Sequence, residues 1–129
     1  MTERPEQTQT SRSRLAWYGV LGGPVAWTVE LLAGYGTEEA ACSAGSTSSG
    51  LAGNADATVG AITIATLLVA LGAGLAAHAI RHGLATGAIP DPRGRVAFMA
   101  RVGMIASPLF ALAIVLSGIP IFALDACRT

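Results

Sequence analysis

LAWYGVLGGPVAWTVELLAGY, residues 15–35, is the stretch that decides the fold. It is 21 residues of nearly unbroken apolar character with one carboxylate, Glu30, inside it. An α-helix needs about 20 apolar residues to cross the ~30 Å hydrocarbon core of a bilayer. Two further runs of that length follow, Val59–Ile80 and Val102–Leu124. The chain therefore reads as all-α, with three transmembrane helices over about 15–36, 59–80 and 102–124. Residues 15–129 form one membrane domain, and the polar residues 1–14 are expected to be a disordered tail, since they cannot bury a core.

Within the first run, Trp17, Tyr18 and Tyr35 lie near the ends, where amphipathic rings prefer the headgroup layer. Gly19 and Gly23 make a GxxxG pair. Gly34 in the same run and Gly74 in the second offer further small surfaces, which let helix backbones approach closely in lipid. Pro24 cannot donate to the Val20 carbonyl, so a kink is expected there. Glu30 carries a real cost, because ionisable groups in a membrane lose roughly 2.5–3.5 kcal/mol on insertion scales and usually face a bundle interior. It reads either as a structural carboxyl at a helix contact or as a proton relay, ion ligand or subunit contact.

Composition agrees with a membrane protein: 129 residues, 52% hydrophobic, 12% charged, with sixteen glycines. All eight basic residues are Arg, and with so much Ala and Gly this suggests a GC-rich bacterial genome. Formal net charge is zero, so nothing favours nucleic acid as a partner. A cleaved signal peptide is disfavoured, because the first run exceeds the usual 7–15-residue apolar core of one and contains Glu30.

The arginines set the orientation. Arg4, Arg12 and Arg14 precede the first span, and Arg81, Arg93, Arg95 and Arg101 surround the second loop. The first loop, Thr37–Thr58, is rich in Ser, Gly and Ala and has no Lys or Arg; Asp56 or Thr58 is a reasonable cap for the second helix. The positive-inside rule puts the N-terminus and second loop in the cytoplasm and the first loop and C-terminus outside. The path is up-down-up across a bacterial cytoplasmic membrane, with the lipid bilayer as the first partner.

Three side-chain groups are candidates for a site. With the spans centred near Val25, Val69 and Ala113, Glu30, Thr66 and Ser117 fall about 4–8 Å to the outer side of the midplane, and Thr63 slightly farther. Glu30 is expected to turn inward and bond Thr66, Thr63 or Ser117. Cys42 and Cys127 both lie outside, in the compartment where disulfides persist. Closing their loop of roughly 85 residues would stabilise by about 4–5 kcal/mol in the chain-entropy model; two free thiols, or a metal contact shared with a partner, are the alternatives. His78 and His82 share a helix face at the spacing of a two-histidine metal or haem site, but the chain has no other His, and such residues also suit the lipid interface.

The segment Gly22-Gly23-Pro24-Val25-Ala26-Trp27, then Glu30 and Cys42, with the ending Pro120…Cys127, resembles small uncharacterised bacterial membrane proteins associated with terminal oxidases. In those proteins the position matching Glu30 is commonly His or Gln, so Glu30 departs from the pattern. The resemblance implies an accessory product of a respiratory complex. On the residues themselves, the chain has no phosphate loop, no nucleophile–base set and no complete metal site. The expected function is therefore a non-catalytic accessory or assembly subunit of a larger membrane complex, with no enzyme activity, no required cofactor and other membrane subunits as partners. The alternatives are a homo-oligomeric proton-coupled channel or carrier using Glu30, and a haem- or quinone-binding redox protein using His78 and His82.

Overall fold

The computed structural model describes residues 5–43 and 49–123, and these form α1 (Pro5–Ser43), α2 (Ser49–Ala85) and α3 (Arg95–Ala123), with no strand among them. Each helix packs against both others. Gly19 of α1 approaches Ala77 of α2 and Gly103 of α3, and Glu30 farther along α1 meets Ser117 of α3. Gly118 of α3 lies against Thr63 of α2. Numbers rise together along α1 and α3 and fall along α2, so α2 runs against its two neighbours.

The helices outrun the expected spans. Residues 5–14, expected as a disordered tail, are the first turns of α1. Pro5 opens the helix, where its missing N–H costs nothing, and Glu6 in the first turn complements the helix dipole. The Thr10 hydroxyl donates to the Glu6 carbonyl at 2.9 Å. This extension is helical without burying a core residue; the first one along the chain is Ala16. Polarity excludes packing there, but it does not exclude helix.

The first loop contracts in the same way. α1 continues to Ser43, with the Thr37 hydroxyl donating to the carbonyls of Ala33 and Gly34 at 2.8 and 2.9 Å. α2 begins at Ser49, so Asp56 and Thr58 lie inside it and neither caps it.

The connection between α2 and α3 is built from defined turns. Gly87 (φ 74°) takes the left-handed conformation that ends α2, with Thr86 N–H donating to the His82 carbonyl at 3.0 Å and Ile89 N–H to that of Gly83 at 3.1 Å. The Asp91 carboxylate accepts from the Ala97 N–H at 2.8 Å and so caps α3. Gly94 (φ 68°) turns the chain into the helix, and α3 starts at Arg95 rather than near residue 102.

Size sorts inside from outside. Most of the buried apolar residues are alanine: Ala26, Ala70 and Ala111 cluster with Ile114, and Ala16 and Ala100 with Ile80. The large aliphatic and aromatic residues face out, with Leu32 and Leu75 each 70% exposed and Phe98 68% exposed. A water-soluble bundle would bury these large side chains. Association through small residues, with the large ones left outside, is what lipid favours.

Two stretches are long and apolar enough to cross a membrane: Ala57–Ala85 in α2 and Arg95–Pro120 in α3, each at a mean hydropathy of 2.2. α1 is the longest of the three helices yet is not among them. Glu30, Thr28, Pro24, the glycines and the four Trp and Tyr residues dilute its aliphatic content. The expectation of three spans is thus met for two helices by length and apolarity, and α1 is the least apolar of the set.

Candidate functional site: the buried polar layer

Glu30 points into the bundle and is 5% exposed. One carboxylate oxygen, Oε2, accepts from the Ser117 hydroxyl of α3 at 3.3 Å. That contact is longer than the usual 2.7–2.8 Å between oxygens. The reason is competition, because the same hydroxyl has one proton and lies 2.9 Å from the Ala113 carbonyl and 3.1 Å from that of Ile114. The Thr63 hydroxyl of α2 also lies beside the carboxyl. It closes no hydrogen bond, however, and both Thr63 Oγ1 and Glu30 Oε1 are buried without a partner.

Of the three partners expected for Glu30, then, Ser117 bonds it and Thr63 stands next to it. Thr66 is buried but spends its hydroxyl on its own helix, donating to the carbonyls of Ile62 at 2.9 Å and Thr63 at 3.1 Å. The layer draws one residue from each helix. Chemically it holds one carboxyl, two hydroxyls and spare hydrogen-bonding capacity at Oε1 and Oγ1.

Close backbone approach holds this layer in place. A Cβ on Gly19 would sit 3.4 Å from Ala77, and one on Gly23 would sit 3.3 Å from Phe110. One on Gly74 would sit 3.2 Å from the Ser107 Cβ. Gly34 differs, since among the described residues nothing lies within 4 Å of a Cβ placed there. The tightest positions are ones that the GxxxG pattern does not pick out. A Cβ on Gly103 would meet the Gly19 carbonyl oxygen at 2.6 Å, and one on Gly22 would meet the Ala73 Cβ at 2.7 Å.

Tyr18 and Ser107 take positions that the sequence pattern did not assign. Tyr18, expected at the lipid headgroups, crosses to α2 and donates its hydroxyl to the Val69 carbonyl at 2.9 Å. Gly72 leaves the room for it, as a Cβ there would meet the Tyr18 oxygen at 2.7 Å. Ser107 is 3% exposed, with its Oγ unpartnered. The signal for it was present in Ser107 preceding Pro108 within an apolar run, but nothing in the pattern says which way the side chain turns.

The remaining candidates fall outside the layer. His78 and His82 are exposed on α2, and no group of three or more His, Cys, Asp or Glu able to hold a metal occurs among the described residues. Cys42 is exposed near the end of α1. Cys127 lies outside the described residues, as does residue 124, the end of the expected third span. No family model, curated protein or solved structure matches the chain.

Proposed function

We propose that the protein is a three-span integral membrane protein, N-terminus cytoplasmic and C-terminus outside, that serves as a non-catalytic accessory or assembly subunit of a larger membrane complex. A bacterial cytoplasmic membrane is the location that its arginine distribution and composition suit. The resemblance of its Gly22–Trp27 segment points to a respiratory assembly. In this reading α1 also crosses the bilayer, carried by its contacts with α2 and α3 despite its lower hydropathy, and Cys42 and Cys127 pair on the outside.

The observation that carries the reading is the sorting of polarity in the bundle. Glu30, Thr66 and Ser107 are inside while large apolar side chains cover the exterior, so the polar groups serve the fold and the outer surface is left for lipid and other helices. The outer half of α1 suits a neighbouring helix best. Gly34 and Gly36 stand open there beside an exposed Tyr35, and small residues next to an aromatic allow close approach. An inward Glu30 also weakens the oligomeric-channel alternative, in which copies would share a pathway lined by their outer faces.

Affinity purification after mild solubilisation tests this. A stoichiometric membrane partner is expected to co-purify from the wild type and to be lost from Gly34→Leu while the bundle keeps its thermal stability. A monodisperse protein with no partner in several mild detergents would overturn the accessory role.

A further inference from the structure

We propose that the groove between α1 and the start of α3 is a binding site for an anionic phospholipid, headgroup and upper acyl chain together. The proposal rests on the membrane reading above and names a ligand that the reading does not.

The groove has a volume of about 460 Å³ and is open to one side. That lies within the roughly 300–1,000 Å³ of small-molecule sites. Its two ends differ in chemistry. Arg93 and Arg95 line one part, set on either side of Gly94, whose φ of 68° turns the chain between them. Trp17 and Val20 of α1, three residues apart on one face, form an apolar wall, and Phe98 and Val102 of α3 form the wall opposite. An amphiphile with a negative head fits this order of charge followed by hydrocarbon.

Charge selects the headgroup. Two guanidiniums line the groove and no carboxylate does, so a zwitterionic headgroup would bring its own cation into a positive site. A phosphodiester with no compensating amine offers the planar oxygen pairs that guanidinium forks match. The positive end of the α3 dipole adds to the same field. Position agrees as well: these arginines belong to the segment assigned to the cytoplasmic side, where anionic lipids concentrate and basic pockets between helices take their headgroups. The apolar walls make the ligand a lipid rather than a free anion, since Trp17 and Phe98 are exposed at 53% and 68% and gain from acyl contact.

Native mass spectrometry of the full chain in detergent tests the site with phosphatidylglycerol and phosphatidylcholine of identical chains. Phosphatidylglycerol is expected to bind about 10–30-fold more tightly, the preference that two arginines supply near a membrane surface. Arg93→Gln with Arg95→Gln should abolish the preference, and Phe98→Ala should weaken both lipids. Arg81→Gln should leave the preference intact, because Arg81 lies outside the groove with its guanidinium 3.5 Å from the Met104 sulfur. A preference that survives the double arginine variant, or falls equally with Arg81→Gln, overturns the site. Displacement of the lipid by millimolar inorganic phosphate would overturn the acyl-chain half and leave an anion site only. Carbonate extraction separates this from failure of the membrane reading: a protein released by carbonate sinks that reading, whereas a retained protein without lipid selectivity sinks only the groove.

Discussion

At Glu30 the structure answers a question that the sequence could only pose, namely which way a carboxyl inside an apolar run turns. It turns inward, to Ser117 and Thr63. That much was legible, because a fixed rise of 1.5 Å per residue places residues of different helices at comparable depth. The choice among Thr63, Thr66 and Ser117 was not legible, since it depends on helix rotation and on which hydroxyls their own backbone captures. If the layer is structural, Glu30→Gln keeps an oxygen and an amide facing the hydroxyls and should unfold within about 1 kcal/mol of the wild type. Glu30→Leu removes one acceptor from Ser117, which keeps its own helix carbonyls, and leaves the buried Thr63 hydroxyl facing only hydrocarbon; it should cost about 1–3 kcal/mol, read from denaturant unfolding in micelles. Equal losses for Gln and Leu would mean that the charge itself is needed. Close packing makes a second residue-scale prediction. Gly103→Ala would drive a methyl against the Gly19 carbonyl and should destabilise by about 1–3 kcal/mol. Gly34→Ala, in open space, should change the same unfolding midpoint little.

At the scale of elements, apolar runs located the three helices but not their ends. The physical reason is that hydropathy reports where a helix can be buried, whereas length depends on where the backbone finds a breaker. Nothing between Pro5 and Leu15 breaks a helix, and α1 runs on past Thr37 to Ser43, where the Ser43 hydroxyl donates back to the Ala40 carbonyl. The second connection was the readable one, since Pro90-Asp91-Pro92 and Gly94 announce turns by their chemistry. Even there the sequence did not assign the cap. Asp91 closes on the Ala97 N–H across the turn and supplies a charged acceptor at the positive end of α3. Asp91→Ala should therefore fray that end and cost about 0.5–2 kcal/mol. Hydrogen exchange would show the loss as faster exchange confined to the first turn of α3; unchanged protection at Ala97 would remove the cap from the account.

For the molecule as a whole, the decisive contrast is between α1 and its two partners. α2 and α3 carry enough aliphatic surface to enter lipid on their own, while α1 trades hydropathy for contacts: the Tyr18 hydroxyl on α2, the Gly19 approach to Gly103 and the Glu30 bond to Ser117. A helix of that kind gains most by inserting together with neighbours that satisfy it, and the bundle's antiparallel order then fixes where each connection emerges. With Arg81, Arg93, Arg95 and Arg101 on or beside the second connection and no basic residue in the first, the membrane potential and the cytoplasmic lipids favour the arginine-rich end inside. Single cysteines in a background lacking Cys42 and Cys127 report this directly. Ala88 is the better probe of the second connection, because its neighbour Gly87 has a φ of 74° that a cysteine would strain. Ser48→Cys should react with an impermeant maleimide added to intact cells. Ala88→Cys should react only after the membrane is opened. Labelling of position 88 from outside would invert the whole arrangement, moving the groove of Arg93 and Arg95 away from the anionic leaflet. Labelling of both positions from outside would mean that α2 does not cross, and the bundle would have to lie on the membrane rather than span it.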